Sequence, residues 1–500
     1  MILRPRLEDF KVIGFYLGRV IIAIGILNLL PLLVALGAGE INVVLDFAIS
    51  AATHLIYGYA LVFLCRTKKE IGWMHGMVVA ALSWLFASAL GALPLYLSGH
   101  WASYLDAMFD ATSGYATTGL TLVRDLDHLA MGHNFWRHFM MFLGGQGIVV
   151  AALSFLVRGS VGTFTMYVGE ARDERILPNI IHTARFIWLV SIVYLILGTL
   201  ALGIAAIWEG MPTAKAFFHG VCIFMAAFDT GGFAPHSQNI LYYHSFLLET
   251  ITVIIMFLGA INFKLHYALW NGDRKEIWKN IETITFFAAI IFTFALVASG
   301  LARNGVYPQI MVMFRKGFYQ LISGHTGTGY MTIYAKQFMA EWGPLALLAL
   351  IVAMALGGCA CSTTGGIKML RVGLVWKALR QDVKQILSPE ASIIVEKFHH
   401  IKERILEDKQ ARSATMIMLC YLLFYGAGAI IGVVCGYPLR EALFESVSAL
   451  ANVGLSCGIT GPSMPGLLKV TYIIQMIAGR LEFISVFALI GFVVAAVKGR

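Results

Sequence analysis

Long apolar runs alternate with short mixed ones along this chain, and the alternation has a period. Two apolar segments open it, at 14–38 and 43–65, followed by the basic loop Arg66-Thr67-Lys68-Lys69. From there a unit of about 100–125 residues recurs. Each unit holds a long apolar helix, a short amphipathic segment, a Gly/Thr-rich string and a second long apolar helix. The first unit runs 71–97, 101–116, the string Thr117-Thr118-Gly119-Leu120-Thr121, then 136–158. The second runs 182–208, 212–228, Asp229-Thr230-Gly231-Gly232-Phe233, then 243–270. The third runs 277–300, 311–324, His325-Thr326-Gly327-Thr328-Gly329-Tyr330, then 342–372. The fourth runs 412–435, 440–451, Asn452-Val453-Gly454-Leu455-Ser456, then 467–497.

The long runs match the roughly 20 apolar residues a helix needs to span a bilayer, and the short segments are too short to cross alone. The short segments fit re-entrant helices with an extended return. Such backbone is tolerated at membrane depth only when it is buried in protein or lines a water-filled cavity. The predicted fold is therefore an all-α polytopic membrane protein. Four pseudo-repeated helix–pore-loop–helix units surround a central pore, behind two N-terminal transmembrane helices. The expected divisions are 1–70, 71–160, 161–272, 273–411 and 412–500, the fourth of these carrying a cytoplasmic segment.

Composition agrees. With 59% hydrophobic and 13% charged residues, and a mean hydropathy of +0.77, the chain lacks the charge to coat a soluble domain of its size. Short alternating strands of a closed barrel are not found. The net charge of +9 forms no basic stripe with interleaved aromatics, so no nucleic-acid partner is expected. The positive residues instead report topology. Arg158, Arg172 and Arg175, then Arg274, Lys275 and Lys279, then a dense group from Lys368 to Arg412 lie between units. The turns Ser98-Gly99-His100, Trp208-Glu209-Gly210, Arg303-Asn304-Gly305 and Cys435-Gly436-Tyr437 are poor in charge. Both termini and the joining loops are thus expected in the cytoplasm, with the short segments entering from outside. Arg4, Arg6 and Lys11 precede an apolar run that goes on to span, so no cleavable signal peptide is expected. The seven cysteines are odd in number and scattered, which reads as free thiols.

The strings carry the candidate chemistry. A dehydrated cation needs its water oxygens replaced, and backbone carbonyls do this without fixed charge, so the ion can also leave. Aiming successive carbonyls inward needs unusual backbone angles, which glycine adopts cheaply. The expected ion-binding residues are Thr117, Thr118 and Gly119; Thr230, Gly231 and Gly232; Thr328 and Gly329; and Asn452, Val453 and Gly454. Leu120, Phe233, Tyr330 and Leu455 follow as bulky buttresses. The short helices point their partly negative C-terminal ends at the same place. Asp106 and Asp110 either draw cations or cap and pair locally; Asp229, beside the second string, is the stronger candidate for drawing them.

Several stretches resemble the Trk/Ktr/HKT superfamily of potassium transporters, and specifically its TrkH-type membrane subunit. They include Asp106-Ala107-Met108-Phe109-Asp110-Ala111-Thr112-Ser113-Gly114, Gly144-Gly145-Gln146-Gly147, Phe257-Leu258-Gly259-Ala260-Ile261-Asn262-Phe263, Gly357-Gly358-Cys359-Ala360-Cys361-Ser362-Thr363-Thr364-Gly365-Gly366-Ile367-Lys368 and Gly479-Arg480-Leu481-Glu482. The resemblance implies potassium uptake across the cytoplasmic (inner) membrane, with K+ as the transported ion at the strings and no covalent cofactor. It implies a homodimer in the lipid bilayer with one pore per protomer, regulated by cytosolic nucleotide-binding subunits of the RCK/KTN type. Glycine at 119, where sodium-preferring plant relatives carry serine, implies potassium preference. The alternative is a sodium-permeable or sodium/proton-coupled cation transporter of the same fold. String four is nearer the Ktr pattern than the commoner TrkH one.

Gly357, Gly358, Ser362, Thr363, Thr364, Gly365 and Gly366 are too many poor helix formers for one span. The stretch should unwind, and the resemblance makes it an intramembrane gating loop; the alternative is a kink that permits close packing. Lys368 behind it reads as an interfacial helix end. Arg480 sits at membrane depth, where a charge needs a cavity or a partner. The resemblance makes it an electrostatic barrier below the strings. The alternative is a pair with Glu482, although residues two apart on a helix do not face each other. His399-His400 reads as part of a solvated helix or a docking surface. An intramembrane enzyme using Asp229 and His236 would need a converging constellation that the sequence lacks, and no phosphate-binding glycine loop is present, so no enzymatic activity is expected.

Overall fold

The computed structural model describes residues 5–148, 162–171, 180–389, 392 and 394–498. Arg158, Arg172, Arg175 and the end of the expected helix 136–158 lie outside them. Among the described residues six helices are long and apolar enough to cross a membrane, or up to eight if each sharply bent pair counts as one span. Their outward faces expose large apolar side chains such as Phe63, Ile291, Leu423 and Ile430, as a lipid-facing surface requires.

The first span starts earlier than hydropathy suggests, at Leu7–Leu27 continuing into Leu29–Gly37. Its polar first turn explains the difference. Asp9 accepts a 2.7 Å hydrogen bond from the Arg6 amide, and acidic residues are favoured at a helix N-terminus. Ile41–Leu64 packs back against it. Long helices Trp73–Leu97, Ile180–Trp208, Ile281–Arg303 and Asp408–Val434 follow, each succeeded by a short helical segment. Those segments are Tyr104–Tyr115, Thr213–Phe228, the Ile310–Val312, Met313–Phe318 and Tyr319–His325 series with a widened π-type turn, and Leu439–Leu450.

The second long helices depart from expectation. Instead of continuous spans at 243–270 and 467–497, the chain forms Phe246–Ala260 and Phe263–Trp270 bent by 100°, and Gly466–Arg480 and Ile484–Lys498 bent by 113°. Met131–Gln146 ends at Gly147, φ 93°, and Gly343–Ala355 gives way to an irregular stretch before Met369–Ile386. The halves on either side of the two sharp bends are apolar, so hydropathy cannot see them. Close approach marks where three of the four breaks fall. A Cβ on Gly144 would stand 1.7 Å from the Tyr115 carbonyl oxygen, one on Gly259 1.9 Å from that of Phe228, and one on Gly479 1.8 Å from that of Leu450. These helices therefore touch the short helices' C-terminal ends, and only glycine fits there.

Neighbouring units are joined around the ring. Asn134 donates to the Pro235 carbonyl at 3.0 Å. Glu249 receives both Nε and Nη2 of Arg315, at 2.7 and 2.8 Å. Phe338 packs on Phe444 with ring centroids 5.4 Å apart, and Lys469 meets Asp106 at 2.5 Å. A small hairpin, Lys397–His400 with Lys402–Ile405, adds the only strands among the described residues. The solvated helix expected around His399 is thus replaced by a strand whose Phe398 and His400 turn inward, the period-two burial of a strand face.

The Lys469–Asp106 joint makes a direct prediction, because both groups are buried. Lys469→Ala leaves a carboxylate alone in the interior and should cost about 3–5 kcal/mol, seen as a clear drop in thermal unfolding temperature in detergent. Asp106→Asn with Lys469→Met should recover most of the loss. Equal loss in both would mean that packing, not charge, holds this joint.

Candidate functional site: four strings above a loop

The four short helices end in one shared backbone pattern. In each, an amide two residues before the string glycine bonds the carbonyl three residues earlier, and the next amide bonds the carbonyl five residues earlier. These are Thr117 to Gly114 and Thr118 to Ser113; Thr230 to Ala227 and Gly231 to Ala226; Gly327 to Gly324 and Thr328 to Ser323; Asn452 to Ala449 and Val453 to Ser448. This is the Schellman termination, which needs one left-handed residue. That residue is Thr117 (φ 54°), Thr230 (φ 50°), Gly327 (φ 71°) or Asn452 (φ 54°). The string glycines Gly119, Gly232, Gly329 and Gly454 are also left-handed, at 95°, 74°, 81° and 87°. Left-handed threonine, twice over, costs of order 1–3 kcal/mol per residue and concentrates at functional sites.

The strings close into a ring. A Cβ on Gly119 would lie 2.3 Å from the Gly231 carbonyl oxygen, on Gly232 2.0 Å from that of Thr328, on Gly329 1.9 Å from that of Val453, and on Gly454 1.9 Å from that of Thr118. Every glycine thus abuts the carbonyl just before the next string's glycine, in the order one, two, three, four, one. The buttresses Leu120, Phe233, Tyr330 and Leu455 are all buried. Tyr330 donates to the Ile223 carbonyl at 3.0 Å, and the Arg137 guanidinium lies 4.1 Å from the Phe233 ring centroid.

Acidic side chains lie behind the ring. Asp110 accepts from Thr121 Oγ1 and the Leu122 amide, both at 2.6 Å. Asp106 is held by Lys469, so both take the local-pairing alternative. Asp229 accepts from Gln146 at 2.7 Å, and Gln146 in turn accepts from Ser191 at 2.8 Å. Its carboxylate is therefore engaged behind string two. Glu445 was not singled out by sequence, yet it holds the fourth return segment. It accepts from Ser456 Oγ at 2.5 Å, the Cys457 amide at 3.1 Å and Thr460 Oγ1 at 2.9 Å. Its position nine residues before the string glycine, matching Asp110, was the available signal.

Beneath the ring lies the irregular stretch 356–368. Its neck is closed by Gly357 N to Ile367 O and Ile367 N to Ala355 O, both 3.0 Å. Glycine is required in the body, since a Cβ on Gly357 would stand 1.9 Å from the Gly365 oxygen. Thr363 Oγ1 donates towards the Phe228 and Gly259 carbonyls, at 2.9 Å each, and lies 3.3 Å from Thr230 Oγ1. Across the ring, a Cβ on Gly365 would stand 2.3 Å from the Ala451 oxygen. The stretch is a folded loop that reaches from unit two to unit four, more than a kink. Gly358 and Gly366 lie buried within it, and Ser362 and Thr364 bond each other at 2.9 Å.

Arg480 ends helix Gly466–Arg480 just at the loop. Its guanidinium donates to Thr117 Oγ1 at 3.3 Å, to Gly144 O at 2.7 Å, to Gly145 O at 3.3 Å and, closely, to Thr363 O. Glu482 pairs instead with Arg371, so the Arg480–Glu482 alternative is set aside. Lys368 also departs from expectation. Its amine is buried and donates to the Thr364 carbonyl and hydroxyl, which makes it part of the loop's packing rather than an interfacial end. Glu282, unremarked in the sequence, accepts from the Ala360 amide at 2.7 Å and from Asn262 at 3.0 Å. The hairpin is tied nearby, with His399 on Glu276 at 2.8 Å and His400 3.2 Å from Asn280 Oδ1. Burial raises the Glu276 pKa, but bonds from His399, Asn280 and the Ile401 amide outweigh it and hold the group below the ordinary glutamate value.

His236 pairs with Asp127 at 3.0 Å, apart from the partners of Asp229. Among the described residues no group of three or more His, Cys, Asp or Glu side chains could hold a metal.

Fold and site together define a multi-span membrane protein with four inward-folded strings closed into one ring. A family model for TrkH, described as a cation transport protein, matches residues 44–494. The chain is 31% identical over 482 residues to an uncharacterised cation transporter of Methanocaldococcus jannaschii, covering 96% of this chain and 95% of that one. It is 29% identical over 495 residues to the Trk system potassium uptake protein TrkH of Escherichia coli, covering 96% and 98%. The crystal structure of the potassium transporter TrkH from Vibrio parahaemolyticus superposes with a TM-score of 0.81 at 25% identity, covering 96% and 98%. The chain belongs to the TrkH family of cation transport proteins, the TrkH-type branch of the Trk/Ktr/HKT superfamily. It is a membrane transporter and not an enzyme.

The bonds of Arg480 predict how the loop is held. Removing a charged donor from buried carbonyls costs about 1.5–3 kcal/mol. Arg480→Gln should therefore speed amide hydrogen exchange across 357–367 about tenfold or more, while exchange in the short helices stays unchanged. Unchanged exchange in the loop would show that Arg480 does not fasten it.

Proposed function

We propose that this protein carries potassium into the cell through a pore whose selectivity filter is the ring of four strings. The observation that carries the reading is the cyclic contact of each string glycine with the next string's carbonyl. In this reading the peptide oxygens of Thr117, Thr118 and Gly119, of Thr230, Gly231 and Gly232, of Thr328 and Gly329, and of Asn452, Val453 and Gly454 line one axis. Such oxygens replace a cation's hydration shell without trapping it. The four helix C-termini add negative potential at the same place. The names of the potassium uptake relatives support potassium as the ion.

In this reading each of the units 71–160, 161–272, 273–411 and 412–500 supplies one quarter. The loop with Gly357, Gly358, Ser362, Thr363, Thr364, Gly365 and Gly366 is the gate, and Arg480 sets a positive charge just below the filter that a leaving cation must pass. The loops between units face the cytoplasm of a cell whose inner membrane holds the protein. The protein works as a homodimer, and the cytoplasmic segment is where nucleotide-binding RCK/KTN-type subunits dock. Glu282 suits the transmission of such docking, because it joins the loop at Ala360 to the helix below which the hairpin is tied.

The test is rubidium flux into liposomes holding the purified protein, with potassium and sodium as competitors. Wild type should be blocked by potassium far better than by sodium. Gly119→Ser places a Cβ against the Gly231 carbonyl and should cut that preference on the order of tenfold, about 1.4 kcal/mol. A preference unchanged by the substitution would remove Gly119 from the filter. Equal competition by sodium in the wild type would favour the sodium-permeable alternative. If wild type is silent, Arg480→Ala should restore flux through the loosened loop, and silence there too would count against the gate.

A further inference from the structure

A cavity of about 900 Å³ lies between helix Ile281–Arg303, helix Met369–Ile386 and the hairpin. It is apart from the strings and from the gate. Its long flank is apolar, formed by Ile284, Ala288 and Phe292 on one helix and Trp376 on the other. Ile284 is 53% exposed, Phe292 63% and Trp376 67%, so this flank opens outward from the helix bundle. At the other end stand Lys279, Lys377 and Lys397.

We propose that this cavity binds one anionic phospholipid, its acyl chains along the Ile284–Phe292 flank and its phosphate between Lys279, Lys377 and Lys397. Three features fix that chemistry. The two kinds of surface are segregated, with apolar side chains at bilayer depth and lysines at one end, as an amphiphile requires. A tryptophan marks the boundary, and tryptophans gather at the headgroup level of membranes. The charge at the polar end is unbalanced. Among the described residues Glu403 is the one acidic side chain lining the cavity. The nearby Glu276 is taken by His399 at 2.8 Å, and Glu396 is shared among Lys377, Arg380 and Lys384. Basic pockets between membrane helices on the cytoplasmic side suit acidic headgroups, each lysine near the surface adding about 1 kcal/mol, or about fivefold. A soluble phosphate would leave the apolar flank uncovered.

The site has a consequence for the proposed gate. The helix that forms its wall, with Val372 and Gly373 in contact with the cavity, begins at Met369, directly after Lys368 and the loop. A lipid seated there braces the helix against the Ile281–Arg303 span. The proposal rests on the function above only for which leaflet supplies the lipid.

The experiment counts lipids and does not read flux, so its failure is separable from failure of the transport reading. Purified protein is exchanged into nanodiscs of dioleoyl phosphatidylglycerol or dioleoyl phosphatidylcholine, released, and weighed by native mass spectrometry. Wild type should retain one phosphatidylglycerol per protomer and no phosphatidylcholine. Lys279→Gln with Lys397→Gln should weaken retention on the order of tenfold or more. Ala288→Trp, which fills the apolar flank and keeps every lysine, should abolish it. All variants must elute as wild type does on size exclusion; a variant that does not is replaced by Lys397→Gln alone, expected to lose about fivefold. Retention unaffected by both kinds of variant would overturn the proposal. So would equal thermal protection by glycerol 1-phosphate, which would mark a soluble-anion site. Disulfide cross-linking of Trp376→Cys between protomers with no lipid retained would also overturn it, and would assign the cavity to a second copy of the chain.

Discussion

The rest of this structure depends on one steric constraint, the contact of each string glycine with a carbonyl of the next string. Any side chain at Gly119, Gly232, Gly329 or Gly454 would stand about 2 Å from that oxygen, so the backbones can lie this close only with hydrogen at those positions. Closing the ring then requires the supports behind it to be in register. Each short helix must hand over to its string in the same way, which the shared Schellman termination provides. Each return segment must be held from behind, as Asp110 and Glu445 do in the first and fourth units.

The same logic governs the layer beneath. The left-handed residues Thr117, Thr230 and Asn452 place short polar side chains next to the loop and Arg480. Thr117 accepts from Arg480, Thr230 faces Thr363 at 3.3 Å, and Asn452 donates to Thr118 at 3.1 Å and to Met476 O at 2.9 Å. At the fourth corner Gly327 has no side chain, and the loop's Gly365 and Thr364 come close to it. Strain at three of the four corners is thus offset by side-chain hydrogen bonds, and those of Thr117 and Thr230 also tie the strings to Arg480 and the loop. A guanidinium at this depth needs several acceptors to offset its desolvation, and the carbonyls of Thr363, Gly144 and Gly145 supply them because the helices and loop are broken just there.

Much of this was legible in the sequence, for physical reasons. The four-part period is a pattern of burial, and the string glycines and the breakers at 357–366 are local backbone chemistry, so both can be read from residue types alone. Arg480 and Glu482 are separate as expected, but the break that follows Arg480 separates them and not the geometry of a continuous helix. What stayed hidden depends on partners that residue type does not reveal. The bends after Ala260 and Arg480 are invisible to hydropathy because both halves are apolar. Glu445 and Glu282 each bind backbone amides as well as polar side chains, and an amide, which every residue carries, does not betray the partner. Lys368 looked interfacial because its acceptor is likewise a backbone carbonyl. The hairpin was missed because four residues of alternating burial are too few to stand out within a charged segment.

Placing Arg480 at a junction of three units also gives the loop a particular mechanical character. Its guanidinium holds Thr363 from the loop, Thr117 from the first string and Gly144 from the first unit's second helix, while Arg371 beyond the loop is paired with Glu482 on the same short turn as Arg480. The break at 481–483, where Glu482 and Phe483 take left-handed angles of 49° and 66°, therefore links the carbonyl bonds of Arg480 to the Arg371–Glu482 ion pair. A displacement of helix Met369–Ile386 would pull on Glu482 through Arg371 and so on the turn that carries Arg480. The loop and the arginine cannot move independently. In the proposed pore they would form a single obstruction, tied through Glu482 and Arg371 to the helix that follows the loop.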